Sequence, residues 1–142
     1  MDWTKARRHT EHLIQTYDVR CPGPDTPIRL LSGGNMQKLI LGRVLEPGPH
    51  VILANQPTRG LDFRAAAEVS RRLISARDRG AGVILISEDL DEVLSLADRV
   101  LVMQKGRIVE QGPTAQVYDT PRHSYTKELL AAAPHLPDFA EV

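Results

Sequence analysis

Leu31-Ser32-Gly33-Gly34-Asn35-Met36-Gln37-Lys38 sets two residues without Cβ atoms at the opening of a helix. Ser32 stands where an N-cap belongs. Met36, Leu39, Ile40 and Val44 supply a buried side for a helix running to about Leu45. The amides that a helix start leaves unpaired, together with the helix dipole, form a site for an anion. Glycine lets a phosphate approach the backbone closely, and the Ser32 hydroxyl adds a donor. A bare Ser-Gly-Gly reads as an ordinary glycine-rich helix start. The whole octet is far more specific.

Downstream, Pro47-Gly48-Pro49 ends this helix, and Val51-Ile52-Leu53-Ala54 is an apolar run of the kind found in a strand buried on both faces. Asn55-Gln56-Pro57-Thr58-Arg59-Gly60-Leu61-Asp62 follows, starting seventeen residues after Lys38. Residues 63–79 place Ala66, Val69 and Leu73 on one helical stripe, with Gly80 as the C′ stop. Gly82 to Ser87 reads as a second buried strand. Asp89 caps a further helix, with Glu92 three residues on as the partner in a capping box. Arg99 to Gln104 is a third strand, turned by Lys105-Gly106 into Arg107 to Gln111, and a last helix spans about Ser124 to Ala133. Strand–helix–strand with apolar strands specifies an α/β fold with a parallel sheet.

Upstream, residues 2–18 form an amphipathic helix with Trp3, Ala6, Thr10, Leu13, Ile14 and Tyr17 on one face. Pro22, Pro24 and Pro27 make residues 20–29 a loop. The 142 residues amount to one domain at most, and 42 % hydrophobic residues suffice for a core. Eighteen basic and eighteen acidic side chains leave no net charge, so nucleic acid is a poor default partner. The single cysteine, Cys21, fits a reducing compartment. Direct membrane insertion is not expected, since aliphatic runs such as Val83 to Ile86 are far too short to span a bilayer. His9, His12, His50, His123 and His135 show no convincing metal-ligand set.

The octet resembles the signature motif of ATP-binding cassette (ABC) domains, in the Ser-Gly-Gly-Asn form of sugar and nucleoside importers. Val51 to Gln56 resembles the family's Walker B pattern of four apolar residues followed by Asp-Glu, with Asn55 and Gln56 in place of the carboxylates. An amide cannot take a proton at neutral pH, and it removes the negative charge that favours Mg²⁺. Glu88 stands where the family places a histidine that senses the γ-phosphate, and a carboxylate there would repel it. Asp62 matches the D-loop aspartate that crosses the dimer interface. It is equally the N-cap of the next helix, and both roles can hold at once.

The resemblance covers about residues 10–134 and implies the C-terminal part of one nucleotide-binding domain, a partial P-loop NTPase fold. Its parts would be 1–46 (the end of the helical subdomain with the signature helix), 47–113 (the α/β core) and 114–142 (a C-terminal helical extension). No G-x-x-x-x-G-K-[ST] loop occurs. The family's P-loop strand would precede residue 1 and lie between the strand ending at Ser87 and the one starting at Arg99. The hairpin then closes onto Gly82–Ser87, or another chain fills the gap, or the exposed edges associate. Residues 99–112 resemble the family's closing hairpin. Residues 119–134 resemble the extension of oligopeptide-type importers, with Ser124 in place of a proline.

By this resemblance Ser32, Gly33, Gly34 and Asn35 would contact the γ-phosphate of ATP held by a partner cassette in a head-to-tail dimer, and Asp62 would communicate across it. Asn55, Gln56 and Glu88 are inherited positions with impaired chemistry, as in the degenerate second domain of simple-sugar and nucleoside import subunits. The implied partners are a complete ABC ATPase domain and transmembrane permease subunits. The implied cofactors, ATP and Mg²⁺, are bound through that domain, and the isolated chain is expected to be inactive and to bind ATP poorly or not at all. The implied place is cytoplasmic, at the inner face of the cell membrane, in import of a sugar, nucleoside or peptide. Two other readings stand beside it: a non-catalytic regulatory module derived from such an ATPase, and an ATPase completed by an N-terminal half on another chain.

Overall fold

A computed structural model of the chain describes residues 2–132, in two compact units, Met1–Ile86 and Ser87–Val142. The first unit runs α1 (Trp3–Thr16), a 3-10 turn (Ile28–Leu30), α2 (Gly33–Leu45), β1 (Val51–Asn55), α3 (Phe63–Asp78) and β2 (Gly82–Ile86). The second runs α4 (Leu90–Leu96), β3 (Arg99–Gln104), β4 (Arg107–Pro113), α5 (Thr114–Asp119) and α6 (Ser124–Ala132). The end of the expected last helix, at Ala133, lies outside the described residues.

In the first unit β1 and β2 pair in parallel, Val51 opposite Gly82 through Asn55 opposite Ile86, with α3 as the crossover. Parallel strands cannot be joined by a tight turn, so a helical connection of this length is what the pairing demands. Ile52 and Ala54 face a core made with Val69, Leu73 and Ala76 of α3, Leu41 and Leu45 of α2, and Leu13, Tyr17 and Val19 of the first segment. Burying such side chains contributes roughly 1.5–3 kcal/mol each. Gly80 (φ +97°) ends α3 as a left-handed stop, as its position in the sequence requires.

The packed faces of two helices differ from those the periodicity favours. In α2 the buried residues are Leu41, Gly42 and Leu45, while Ile40 and Val44 are exposed. Gly42 causes this rotation: a Cβ there would stand 2.9 Å from Tyr17 Cδ2, so the bare backbone admits the tyrosine ring. In α1 only Leu13 is buried, and Trp3 is 74 % exposed. Asp2 caps α1 by accepting from the Lys5 amide. The Arg72 guanidinium lies 4.3 Å above the Tyr17 ring and donates to Thr16 O at 3.0 Å, tying α3 to the end of α1.

The β1–β2 sheet is covered on one face only. The alternate residues Val51, Leu53, Ile84 and Ile86 are 65, 67, 56 and 49 % exposed. Strands buried on both faces, as the apolar runs imply, are therefore not what this unit contains.

In the second unit β3 and β4 form an antiparallel sheet of their own. Lys105 (φ +50°) and Gly106 (φ +75°) make the two-residue turn, the left-handed pair that matches strand twist. A bulge interrupts the ladder between Val102 and Met103. Val102 and Val117 are buried between hairpin and α5. Asp89 caps α4 through the Asp91 and Glu92 amides, but the capping box does not form. The Asp89 amide donates instead to Ser87 Oγ, and the buried Glu92 carboxylate has no hydrogen-bond partner among the described residues.

Candidate functional site

The candidate site is the start of α2, where the sequence places its phosphate-binding residues. Ser32 has the extended backbone of an N-cap but makes no capping hydrogen bond with its side chain. The first intrahelical bond is Met36 N–H to Ser32 O at 2.9 Å, which leaves the amides of Gly33, Gly34 and Asn35 without helical acceptors. No acidic side chain lies in this first turn. Gly33 is exposed, and a Cβ placed on it would meet nothing within 4 Å.

Asn35 organises the polar groups around these amides. Its Oδ1 accepts from the Arg20 amide at 2.8 Å, which fixes the orientation of the side-chain amide. Its Nδ2 donates to Ser32 Oγ at 2.9 Å. A hydroxyl that accepts there keeps its own proton for another acceptor. Three backbone amides and one hydroxyl are thereby gathered at the positive end of a helix, an arrangement with the chemistry to hold a phosphate oxygen.

The start of α3 lies against it. A Cβ on Gly34 would stand 3.6 Å from Ala65 Cβ, so two small residues bring the helix ends together. Asp62 is the N-cap of α3 and accepts from the Ala65 amide at 2.8 Å. Gln37 Nε2 donates to Pro57 O at 2.8 Å and joins α2 to the loop after β1. Gln37, Ala65 and the Arg20 amide are parts of the site that sequence reasoning did not single out. Gln37 lies within the octet but is given no role of its own there, and nothing in the sequence marks the Arg20 amide.

Asn55 ends β1 on its exposed face, and Gln56 follows with a left-handed backbone (φ +48°). The Gln56 amide donates to Ile86 O at 2.7 Å, and its carbonyl accepts from the Arg59 amide, so a tight turn follows the strand. This donor set does not fit Mg²⁺. Two neutral side-chain amides replace the hard, charged oxygens such an ion selects, and among the described residues no three His, Cys, Asp or Glu side chains gather as a metal site. Glu88 belongs to the second unit, exposed on the residue before the Asp89 cap.

Among the curated proteins, similar sequences are import ATP-binding proteins. The glucose import ATP-binding protein TsgD13 of Haloferax volcanii is 43 % identical over 111 residues, 77 % of this chain and 20 % of its own length. The arabinose import ATP-binding protein AraG of Ralstonia nicotianae is 44 % identical over 117 residues, 82 % of this chain and 23 % of its own. The guanosine import ATP-binding protein NupO of Bacillus subtilis is 48 % identical over 97 residues, 68 % of this chain and 19 % of its own. The chain thus spans about a fifth of the length of the curated relatives it matches. No family model matches.

Two solved structures share the fold. One is cbiO1 from Clostridium perfringens, part of an ABC transporter complex: TM-score 0.64, 26 % identity, 84 % of this chain and 48 % of that one. The other is a dimeric ATP-binding cassette in a post-hydrolysis state bound to ADP and phosphate, with TM-score 0.66 and 20 % identity over 80 % of this chain and 49 % of that one. The chain has the α/β fold of about half an ATP-binding cassette domain of the ABC transporters, and its curated relatives are ATP-binding subunits of importers.

Proposed function

We propose that the chain is the signature-bearing part of an ABC importer's ATP-binding subunit, and that the start of α2 contacts the terminal phosphate of ATP held by a partner cassette. The observation that carries this reading is the open, uncapped helix start: Ser32, with its hydroxyl set by Asn35, before the free amides of Gly33, Gly34 and Asn35. The adjacent α3 start carries Asp62, which caps its own helix; in this reading Asp62 also signals across the same interface. The relatives' names, glucose, arabinose and guanosine import, favour a sugar or nucleoside as cargo. Coupling to transmembrane permease subunits at the inner face of the membrane follows from the same kinship. No helix among the described residues is long and apolar enough to cross a membrane.

In this reading the chain lends chemistry without performing hydrolysis. ATP supplies the phosphoryl group and the partner supplies its P-loop. This chain's amides and the Ser32 hydroxyl offset negative charge where it concentrates. Asn55 and Gln56 cannot accept a proton from water at neutral pH. A nucleotide at the chain's own site therefore stays intact.

The test uses a hybrid NupO subunit in which this chain's residues replace the matched 97-residue segment. The hybrid is expected to support guanosine uptake in Bacillus subtilis cells lacking their own copy, and Ser32→Arg to lower uptake at least ~10-fold while leaving the melting temperature within about 2 °C. Uptake unchanged by Ser32→Arg would contradict the proposal and favour a regulatory module outside transport.

A further inference from the structure

Wholly within the second unit, β4, α5 and the turn before α6 border an open cleft of about 310 Å³. It contains no residue of the phosphate site. Glu110 and Arg122 line it with charges of opposite sign, His123 and Gln116 add polar groups, and Val109 and Val117 supply apolar wall. The Glu110 carboxylate is fixed in place. Its Oε1 accepts from the Arg122 amide at 2.8 Å and its Oε2 from the His123 amide at 3.0 Å. Both bonds favour the charged form, and a carboxylate has about four lone-pair sites, so capacity for further donors remains. Arg122 meets Glu110 through its backbone only. Its guanidinium belongs to an exposed residue and forms no ion pair among the described residues. Two opposite charges on the wall of one cleft that do not close on each other leave a place between them for a ligand bearing both. His123 Nδ1 accepts from the Tyr125 amide at 3.2 Å, which sets the tautomer so that Nε2 carries the proton and can donate. A Cβ on Gly112 would stand 3.4 Å from Gln116 Oε1, so the bare backbone of β4 lets this amide lie close to the strand. The Gln116 oxygen accepts no hydrogen bond among the described residues.

We propose that this cleft binds a small zwitterion of the α-amino acid class. The ligand's carboxylate pairs with the Arg122 guanidinium, with the His123 Nε2–H as a further donor. Its ammonium group donates to the Glu110 carboxylate and to Gln116 Oε1. An aliphatic side chain lies against Val109 and Val117. The size agrees, since ligand sites begin at about 300 Å³ and this cleft stands at that lower end. The charges select against simpler occupants. A plain anion would face the Glu110 carboxylate and a plain cation the Arg122 guanidinium, each with a like-charge penalty that a zwitterion avoids.

Heteronuclear NMR titration of the full 142-residue chain at neutral pH tests this with three probes. L-leucine carries both charges, L-leucinamide lacks the carboxylate, and isocaproate has the same side chain and carboxylate but no ammonium group. L-leucine is expected to shift the Arg122 and His123 amides saturably with a Kd of ~1 mM, and each single-charge probe to bind at least ~10-fold more weakly. Arg122→Gln changes an exposed side chain and is expected to keep the melting temperature within about 2 °C. In that variant the preference for leucine over leucinamide is expected to vanish while the preference over isocaproate persists, which loss of structure alone would not produce. The proposal is overturned by the absence of saturable shifts at the cleft up to ~10 mM leucine, by a single-charge probe that binds as tightly as leucine, or by an Arg122→Gln variant that still prefers leucine to leucinamide.

Discussion

Asn35 donates from Nδ2 to the Ser32 hydroxyl at 2.9 Å while its Oδ1 accepts from the Arg20 amide at 2.8 Å. One side chain thereby closes the loop before α2 onto the helix start and leaves the hydroxyl proton for another acceptor. Asn35→Leu removes both bonds and is expected to lower the unfolding free energy by about 1 kcal/mol in urea titration. Asn35→Asp separates structure from binding. It keeps the acceptor for Arg20 and adds a carboxylate that the helix dipole favours, so stability is expected to stay within about 0.5 kcal/mol. The same charge would repel a phosphate, and guanosine uptake by the hybrid is expected to fall. Uptake unaffected by Asn35→Asp would show that no phosphate approaches this turn.

Two glycines in α2 should respond in opposite ways to alanine. Gly42→Ala places a methyl 2.9 Å from Tyr17 Cδ2 and 3.1 Å from Leu13 Cδ2, in the core between α1 and α2. Overpacking of this kind costs ~1–3 kcal/mol, offset by ~1 kcal/mol of helix propensity, so thermal unfolding should reveal a net loss. Gly33→Ala meets nothing within 4 Å and is expected to leave stability within about 0.5 kcal/mol while hindering phosphate approach. Equal effects of the two substitutions would show that the Tyr17 contact does not set the face of α2.

Glu110 in β4 predicts a pH dependence in the second unit. The Thr126 hydroxyl, then the Arg122 amide and the His123 amide, holds its carboxyl below the ordinary glutamate range against a smaller opposing effect of burial. The two amides, at 2.8 and 3.0 Å, are the firm partners, whereas Thr126 Oγ1 is buried outside hydrogen-bonding geometry. A carboxyl whose folded pKa is depressed contributes stability fully above its unfolded value, 4.5, and loses it as pH falls through the lower folded value. Glu110→Gln is therefore expected to flatten the acid side of the stability curve of this unit below about pH 4.5 and to weaken it above. An acid limb of the same slope in wild type and variant would contradict the assignment.

The order of elements was legible because it rests on local signals. Pro47-Gly48-Pro49, Gly80 and Lys105-Gly106 punctuate the chain where the structure turns, and Asp62 and Asp89 cap helices where the spacing puts them. What the sequence did not disclose depends on neighbours. Val51–Ala54 reads as a strand covered on both sides because its composition is that of one, yet only Ile52 and Ala54 are covered in this unit. The side of α2 that packs is decided by Gly42, a residue that hydrophobic periodicity counts as neutral. The Glu92 capping box gave way to Ser87, two residues upstream of the Asp89 amide and closer at hand. In the site, the Ser-Gly-Gly-Asn run was readable as phosphate chemistry, but the bridge from Asn35 to the Arg20 amide and the approach of Ala65 are tertiary facts.

The central claim is that the helix start at Ser32 meets the terminal phosphate of a nucleotide held elsewhere. An ATP analogue bearing a photoreactive group on its γ-phosphate reads this contact in the hybrid subunit. Trypsin releases residues 30–38, the stretch after Arg29 that ends at Lys38, as a single peptide. The account predicts label on this peptide, lost in Asn35→Asp, which adds no trypsin site. Label that appears elsewhere on the subunit but never on residues 30–38 would contradict it.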